Sequence, residues 1–285
     1  MKLRAYAKIN LMLDILGKTD DGYHSLFMIM QSIGLYDTIS ISKAKDITLT
    51  CSNPALPSDS KNIAFKAAEE FFSATKISGG AEIHIEKNIP LAAGLAGGSA
   101  DAAAVLIGLN EIYNAGLCVE ELCNIGLKLG ADVPFCIKGG TMAALDIGQV
   151  LAPLPPIKDN YYVLVKPPVD ISTAAAYAAF DKAENIHHAD INGILRALST
   201  DNEDKAYPLM KNVFEQFIEV PNRAEIKHIM RTYGSLAHLM TGSGPTIYAI
   251  FDNEDSASKC AEELKLSYSD VFICKPKKCG VEKIT

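Results

Sequence analysis

One stretch rich in glycine and alanine limits the folds that this chain can adopt. Residues 89–109, IPLAAGLAGGSADAAAVLIGL, contain four glycines and seven alanines and then continue as an apolar helix. A segment with so few large side chains lets another group approach its backbone closely. A glycine-rich turn at a helix start also presents free N–H groups and the positive end of the helix dipole, and both favour an anion. The stretch therefore predicts a phosphate loop, or else a helix that packs closely on a strand.

Two common nucleotide-binding patterns do not fit this stretch. The segment GLAGGSAD lacks the Lys that follows the last glycine of a P-loop, and Gly94, Gly97 and Gly98 do not have the GxGxxG spacing. A dehydrogenase is also disfavoured, because no acidic residue follows about twenty positions later in the right context. If the segment binds phosphate, it forms a different kind of phosphate loop.

Alternation of residue types predicts strands in the first half of the chain. Residues 3–16 alternate, as in a half-buried strand, between an apolar set and a mainly polar set. The apolar set is Ile9, Leu11, Leu13 and Ile15, and the other set is Lys8, Asn10, Met12 and Asp14. The segment KTDDGYH predicts a turn, residues 26–43 predict further strands, and AEIHIEKNIP predicts a strand that stops at Pro90.

Helical spacing and capping residues predict three helices in the same half. SKNIAFKAAEEFFSAT has Ser60 as a candidate cap, and VEELCNIGLKLG has Gly130 just past its predicted end. Ser99 is placed to cap the helix that follows the glycines and that runs to about Ala115.

The second half predicts an α+β domain of its own. Prolines in the segment GGTMAALDIGQVLAPLPPIKDN predict a connection near residues 150–160, so we divide the chain into domains 1–155 and 156–285. YYVLVKP, HLMTGSGPTIYAIF and DVFICKP predict strands, which alternate with helices predicted at about 173–198, 203–232 and 254–265.

Composition favours a small-molecule ligand. The chain has 285 residues, of which 48% are hydrophobic, and this is enough for two cores. Its net charge of −7 and the lack of a dense Lys/Arg stripe argue against binding to nucleic acid or to an anionic membrane. The seven cysteines form no CxxC pair and the start has no apolar signal core, which predicts reduced thiols in a cytoplasmic protein.

Three short segments carry the candidate functional residues. Lys8 and Asn10 lie on one face of a strand whose other face is apolar, and Asp132 enters the apolar run GADVPFCI. A second loop of small residues, Gly242–Gly244, separates two strand-like runs. Taken singly, these features are better explained as a solvated strand face, a turn-forming aspartate and an ordinary turn.

Taken together, the segments resemble the GHMP small-molecule kinases. AYAKINL, PLAAGLAGGSADAA and MTGSGPT occur in the expected order along nearly the whole chain. The resemblance implies a two-domain α+β fold, with an N-terminal ATP-binding domain and a C-terminal α/β sandwich domain. Within the family, DGYH and MIMQSIGLYD resemble the branch whose acceptor is a methylerythritol unit that carries cytidine diphosphate, and the reaction would phosphorylate its 2-hydroxyl.

The resemblance also implies roles for single residues. Asp132 matches the general base and Lys8 the cation beside it, and Ser99 would offer its hydroxyl to a phosphate or to Mg²⁺. The residues implied in ATP binding are Asn62, Pro90, Leu91, Ala92, Ala93, Gly94, Leu95, Ala96, Gly97, Gly98, Ser99 and Ala100. The residues implied in substrate binding are Asn10, Tyr23, His24, Tyr177, Gly242, Ser243 and Gly244.

Two alternatives stay open at this point. A GHMP kinase for a sugar or a mevalonate-like acid would keep the glycine loop and Asp132 but would not need the aromatic residues of DGYH. A nucleotide-binding protein without activity would be expected to lack the lysine or the aspartate, and both are present. The sequence leaves both a monomer and a homodimer open.

Overall fold

The computed structural model describes residues 1–19, 22–200 and 202–284. Its strands are β1 (Lys2–Lys18), β2 (His24–Ala44), β3 (Thr48–Cys51), β4 (Gly80–Glu86), β5 (Thr141–Asp146), β6 (Val150–Pro153), β7 (Tyr161–Lys166), β8 (Ala237–Met240), β9 (Ile247–Phe251), β10 (Asp270–Cys274) and β11 (Val281–Lys283). Its α-helices are α1 (Ile63–Thr75), α2 (Gly97–Ile112), α3 (Val119–Leu127), α4 (Val133–Lys138), α5 (Thr173–Phe180), α6 (Ile191–Ser199), α7 (Arg223–Thr232) and α8 (Glu254–Lys265).

These elements form two sheets, each covered by helices. The first sheet has the order β11-β1-β2-β4-β3, and β5 and β6 extend it from β2. Its pairs are antiparallel except for β3 and β4. Helix α2 packs on β1 and β2, whereas α8 packs on the second sheet, which has the order β10-β7-β9-β8. The predicted α+β fold with two halves is confirmed.

The first strand differs from its prediction in one respect that bears on function. The alternating pattern predicts a half-buried strand, yet both faces of β1 are buried between Ala5 and Ile15. The polar side chains Lys8, Asn10 and Asp14 are 5%, 0% and 1% exposed. They are covered because the second half of the chain packs on this face, and buried polar groups need partners.

Four predicted helix ends in the first half are wrong. Asn62 caps α1 by accepting a hydrogen bond from the N–H of Ala64, so Ser60 is not the cap. Helix α2 starts two residues before Ser99 and ends at Ile112, and its N-cap is Ala96 in the left-handed conformation. Helix α3 ends at Leu127, before Gly130. Each error is a shift along the chain that local signals do not resolve.

The predicted helices of the second half need larger corrections. The range 173–198 contains two helices, α5 and α6, separated by a loop, because the Asp190 side chain caps a new helix. The range 203–232 contains three short 3-10 turns before α7. The helix predicted at 254–265 is confirmed as α8.

The end of the chain returns to the first sheet. Strand β11 pairs with β1 through Leu3, Arg4 and Ala5, although it follows the whole second sheet in sequence. The division at residue 155 stays a prediction, and it does not anticipate that the end of the chain returns to the first sheet.

All seven cysteines are free thiols. Among the described residues, no helix combines the length and the apolar character that crossing a membrane requires.

Candidate active site

The middle of β1 places Lys8 at the base of a cleft. The register between β1 and β2 shifts between Tyr6 and Lys8 and again between Asn10 and Met12, and such bulges redirect side chains. The Nζ atom of Lys8 donates a 2.9 Å hydrogen bond to Oδ1 of Asn10. It also lies 3.8 Å from Oδ2 of Asp132. The two residues that the resemblance pairs are therefore close in space.

Asp132 lies at the N-cap position of α4, at the end of a turn that starts at Gly130. Its side chain is 34% exposed, whereas that of Lys8 is 6% exposed. The carboxylate thus faces the open cleft while the ammonium group is fixed beneath it. This arrangement suits a base that must reach a substrate and a cation that must stay in place.

Asn10 lies beside Lys8 on the same strand. Its side chain is fully buried, and Oδ1 accepts hydrogen bonds from Lys8 and from the N–H of Gly242 at 3.0 Å. Its backbone N–H donates to Oγ1 of Thr241. Its predicted role in orienting the substrate stays a prediction. Asn10 joins Lys8 to the second loop of small residues.

The glycine-rich loop has the backbone geometry of an anion site. Ala92, Gly94 and Ala96 have positive φ angles of 49°, 72° and 55°. The first helical hydrogen bond of α2 runs from the N–H of Ala100 to the carbonyl of Ala96. The N–H groups of Gly97 to Ser99 precede it and have no acceptor within the helix. Alternating left-handed residues and a free helix start both concentrate N–H groups toward an anion.

A second loop lies against part of the first one. A Cβ atom at Gly94 would be 2.4 Å from the carbonyl oxygen of Thr241, and one at Gly242 would be 3.1 Å from Cα of Gly94. The two loops of small residues therefore touch through their backbones. Glycine at position 94 is explained by this contact, whereas Gly98 is exposed and stays open to a ligand.

Other loop residues contribute through their backbone alone. Ala93, Leu95 and Ala100 are almost completely buried, so their side chains belong to the core. The carbonyl of Leu95 accepts a 3.1 Å hydrogen bond from the backbone N–H of Lys8. This bond fixes the distance between the loop and the lysine.

A buried ion cluster supports the loop from below. The ammonium group of Lys87 donates to Oδ2 of Asp37 and to Oδ2 of Asp101, the latter at 2.9 Å. Both carboxylates are at most 2% exposed. Burial and the nearby charge of Asp37 raise the pKa of Asp101 well above its usual range, against the attraction of Lys87. A Cβ atom at Gly97 would lie 2.9 Å from this ammonium nitrogen.

The candidate residues converge on one cleft of about 390 Å³. Both halves of the chain contribute to its wall. The lining residues that were predicted from the sequence are Lys8, Gly94, Ala96, Ser99, Asp132, Tyr177, Gly242 and Ser243. Another cavity, of about 430 Å³, lies beside the β5–β6 hairpin, and its lining includes no predicted site residue. The cleft of about 390 Å³ is the candidate site because Lys8, Asp132 and Ser99 line it.

A second depression of about 320 Å³ adjoins the start of the loop. Pro90 and Leu91 line it, together with the polar residues Asn53, Asn88 and Lys166. The glycine-rich loop therefore runs between two cavities. Asn62 contacts neither: its Oδ1 caps α1 and its Nδ2 donates to the carbonyl of Pro57. Both ends of this buried amide have partners inside the chain, and its predicted nucleotide contact stays a prediction.

Tyr177 and Phe214 are the aromatic residues that line the cleft, whereas Tyr23 and His24 are not among its lining residues. The ring of His24 stacks on Tyr177, with centroids 4.6 Å apart and an angle of 23° between the planes. Tyr177 therefore contacts the imidazole ring of His24 in this structure, and its predicted contact with the substrate stays a prediction. Burial, and next the charge of Asp132, raise the pKa of Tyr177 to about 12. Tyr23 is 60% exposed.

Three further residues of this region were missed by sequence reasoning. Asp181 binds His24, the hydroxyl of Thr173 lies 3.0 Å from that of Ser243, and Thr241 accepts from the backbone of Asn10. No local pattern marks them, because their partners are far away in the chain. Gly244 differs from its neighbours: it faces Met240 and shapes the turn rather than lining the cleft.

This two-sheet fold, with a helix start and a lysine–aspartate pair at one cleft, defines a small-molecule kinase. The chain belongs to the GHMP kinase family: the family model of the GHMP kinases N terminal domain matches residues 62–140, and that of the GHMP kinases C terminal domain matches residues 180–270. The resemblance drawn from the three motifs is thereby confirmed.

Relatives over the full length carry one enzyme name. The 4-diphosphocytidyl-2-C-methyl-D-erythritol kinases of Clostridium tetani and Clostridium beijerinckii are 47% and 46% identical to this chain, and each comparison covers 96% of this chain and 99% of the relative. A solved 4-(cytidine 5'-diphospho)-2C-methyl-D-erythritol kinase has a TM-score of 0.81 at 30% identity and covers 97% of this chain and 99% of its own. A homoserine kinase from Cytophaga hutchinsonii shares the fold, with a TM-score of 0.80 at 20% identity over 100% of this chain and 97% of its own.

Proposed function

We propose that this protein transfers the γ-phosphoryl group of ATP to the 2-hydroxyl of 4-diphosphocytidyl-2-C-methyl-D-erythritol, a step of the non-mevalonate isoprenoid precursor pathway. The observation that carries the proposal is one cleft that is shared by Lys8, Asp132, the start of α2 and Tyr177. Relatives with this enzyme name cover nearly the whole chain and support the same substrate.

ATP lies across the glycine-rich loop in this proposal. The nucleoside occupies the polar depression beside Pro90 and Leu91, and the phosphates follow the loop toward Ser99. The free N–H groups at the start of α2 bind the phosphate oxygens, and the helix dipole adds to this attraction. The γ-phosphate then faces the cavity that holds Asp132.

The transfer step uses the lysine–aspartate pair. Asp132 accepts the proton of the attacking 2-hydroxyl, and its partly exposed carboxylate can reach a bound acceptor. Lys8, fixed by Asn10, stabilises the negative charge that develops on the transferring group. Positioning and charge neutralisation are the main requirements of phosphoryl transfer.

We propose that Mg²⁺ accompanies ATP. The hydroxyl of Ser99 lines the cleft and is an oxygen donor of the kind that Mg²⁺ prefers, so Ser99 would help to hold the ion. The ion would supply charge neutralisation on the phosphates. The carboxylate of Asp101 is unsuited to this task, since it is buried against Lys87.

Selection of the acceptor depends on the far end of the cleft. Tyr23 and His24 contact the cytosine ring, and Tyr177 holds His24 from behind. Gly242 and Ser243 border the acceptor from the second half of the chain. We further propose a cytoplasmic monomer or homodimer, in keeping with the seven free thiols. Size-exclusion chromatography with light scattering distinguishes the two assemblies.

The test is a coupled assay of ADP release with ATP, Mg²⁺ and a panel of acceptors. We expect turnover with the cytidine-diphosphate acceptor and at least about a hundredfold lower kcat/KM with homoserine, mevalonate or galactose, because these lack the pyrimidine that the far end recognises. Equal turnover with one of these acceptors would contradict the assigned substrate but not the kinase activity.

A further inference from the structure

The chain passes between its two sheets twice, and both passages line the same cavity. Residues 154–160 lead from β6 to β7, and residues 275–280 lead from β10 back to β11. Ile157 of the first passage and Lys278 of the second both line the cavity of about 430 Å³ beside the β5–β6 hairpin. We call it the inter-sheet cavity. Because both passages form its walls, a change in the angle between the two halves of the chain alters its shape.

The inter-sheet cavity offers apolar surface to a ligand. The lining residues with apolar side chains are Met142, Pro153, Leu154, Pro156, Ile157 and Pro276. Three of them are prolines, whose rings lose no rotamer freedom when a ligand packs on them. A cavity of this volume is of the size that holds small organic ligands. The cavity therefore favours a compact apolar group.

The charged residues of the lining favour an anion. Lys138, Lys277 and Lys278 contribute three ammonium groups, against the single lining carboxylate of Asp159. This carboxylate lies 2.6 Å from the ammonium group of Lys275 and is already paired. Lys278 is exposed and has no hydrogen bond or ion pair with the side chains that the structure describes. An anionic group beside Lys278 is therefore attracted by a charge that no lining carboxylate offsets.

One wall of the inter-sheet cavity is bonded to the strand next to Lys8. Gln31 on β2 is 1% exposed, and its Nε2 donates a 3.0 Å hydrogen bond to the carbonyl of Lys277. Its Oε1 accepts a 2.6 Å hydrogen bond from Oγ1 of Thr141. The next residue, Ser32, is opposite Lys8 in the register of β1 and β2. A ligand on this wall thus lies one strand away from the lysine of the cleft.

The same wall continues into the helix that starts at Asp132. Lys138 is the last residue of α4, and Gly139 and Gly140 follow it along the cavity. Asp132 lies at the other end of this helix, which has 6 residues and is therefore about 9 Å long. The carbonyl of Gly140 accepts a 3.0 Å hydrogen bond from the N–H of Ser32. The inter-sheet cavity therefore borders the elements that position both members of the lysine–aspartate pair.

We propose that the inter-sheet cavity is a regulatory site for a small anion that carries a compact apolar group, and that its occupation lowers turnover. The ligand packs between the two passages and so restricts changes in the angle between the halves, on which the closure of two-domain kinases around their substrates depends. It does not compete with substrate, since no described residue lines both the cavity and the cleft. The effect on turnover rests on the proposed function, whereas binding does not.

Hexyl phosphate is the probe, because it joins a phosphate to six carbons in one small molecule. Inorganic phosphate and hexanol are the controls, since each carries one of the two parts. Isothermal titration calorimetry should show that hexyl phosphate binds at least about tenfold more tightly than either control, because each buried CH₂ group strengthens binding about fourfold. Equal affinity for hexyl phosphate and inorganic phosphate would overturn the proposal.

Two substitutions test where the probe binds. Lys278→Gln removes a charge and Ile157→Ala removes part of the apolar wall, so each should weaken the binding of hexyl phosphate about fivefold or more. Lys265→Gln is the matched control, because Lys265 is an exposed lysine at the end of α8 and does not line the cavity. Lys278 is exposed too, so its replacement should not lower the thermal midpoint even if Ile157→Ala does. Unchanged binding in Lys278→Gln would overturn the proposal.

Steady-state kinetics tests the regulatory effect. Saturating hexyl phosphate should lower kcat about fivefold or more, and neither excess ATP nor excess acceptor should reverse this. Without the probe, Lys278→Gln should keep kcat within about twofold, and it should need about fivefold more probe for half of the inhibition. Lys265→Gln should behave as the unsubstituted protein does.

Two kinetic results would contradict the proposal. Competition with ATP would place the probe on the glycine-rich loop, and an unchanged kcat at saturation would show that the cavity is not coupled to the cleft. A lack of kinase activity in the unsubstituted protein would instead refute the proposed function, and calorimetry would still decide whether the inter-sheet cavity binds the probe.

Discussion

The ammonium group of Lys8 is buried in a strand, although a solitary buried cation is unfavourable. It is tolerated because Asn10 and Asp132 are both within reach. The same contacts restrict its position to one corner of the cleft, beside the backbone of Leu95. A residue whose position is determined so completely is suited to stabilise charge during a reaction rather than to hold the fold together.

Replacing either member of this pair should reduce turnover. Asp132→Asn removes the base and Lys8→Met removes the charge with little change in volume, so kcat should fall about a hundredfold or more in each. KM for ATP should change by less than about threefold, since the loop backbone is untouched. Steady-state kinetics checks both values, with circular dichroism as a control for folding. Near-normal turnover of Asp132→Asn would assign the base elsewhere.

The ion cluster beneath the loop predicts a pH effect on stability. The folded pKa of Asp101 lies above its ordinary value of 3.8, so the folded state holds this proton more tightly than the unfolded state. The free energy of unfolding therefore decreases as the pH rises from about 3.8 through the raised pKa, by up to about 1.4 kcal/mol per pH unit. Asp101→Asn removes this titration and should become more stable than the unsubstituted protein as the pH rises.

Asp37 provides the contrast. Its Oδ1 accepts from the N–H groups of Asn88 and Ile89, and its Oδ2 faces Lys87. Asp37→Asn would turn an amide NH₂ toward this ammonium group and should lose about 1–3 kcal/mol. In Asp101, Oδ1 has no hydrogen-bond partner among the described residues. The NH₂ group of Asp101→Asn can therefore take the place of Oδ1, while the amide oxygen still accepts from Lys87. Urea unfolding between pH 4 and 8 compares the two variants, and equal losses would contradict this assignment.

At the scale of single elements, the turn before α2 must adopt left-handed backbone conformations and must also let neighbouring groups approach closely. The turn needs left-handed residues, yet Ala92 and Ala96 occupy two of these positions at a cost that glycine would not have. Position 94 needs glycine because the backbone of the second loop lies against it, and position 97 needs glycine because the ammonium group of Lys87 lies close to it. The exposed Gly98 therefore remains the best position at which to test phosphate binding without disturbing the core.

The Gly98→Val variant should weaken ATP binding. A Cβ atom there would meet only the Cγ2 methyl of Ile63, at 3.2 Å. The branched side chain would also narrow the space beside the N–H groups to which we assign the phosphates. KM for ATP should rise about tenfold or more, with the thermal midpoint lowered by a few degrees at most. Gly97→Val, by contrast, should unfold the protein more readily because it disturbs the ion cluster. Unchanged KM for ATP in Gly98→Val would contradict the loop assignment.

At the scale of the whole molecule, the two halves depend on each other. Asp14 on β1 accepts hydrogen bonds from His188 and from the N–H of Ala189, in the loop that follows α5. The backbone of Leu13 bonds to Lys211, and Tyr248 donates to the carbonyl of Asn10. The strand that carries Lys8 is therefore held by the second half as well as by its own sheet.

Strand β11 adds a further link that can be removed. Truncation after Cys279 deletes β11 and exposes the edge of β1, and it removes Glu282, which binds Arg4 and Tyr6. We expect a loss of about 2–4 kcal/mol in the free energy of unfolding, from several hydrogen bonds together. Truncation after Lys283 keeps β11 and serves as the control. Equal stability of the two proteins in urea would show that β11 contributes nothing.

The sequence by itself determined the features that depend on neighbouring residues. The strand pattern of β1 and the helix start after the glycines could be predicted because each is encoded within about ten to twenty residues. The three motifs are equally local, and their order along nearly the whole chain indicated the kinase family and its α+β fold. The tertiary structure alone decided which faces are buried. Asn10 is buried, Asn62 caps α1, and Asp181 contacts His24 although the two residues are 157 positions apart in the chain. Such contacts follow from how two sheets pack, and the energy of that packing is spread over the whole core rather than written in any single segment.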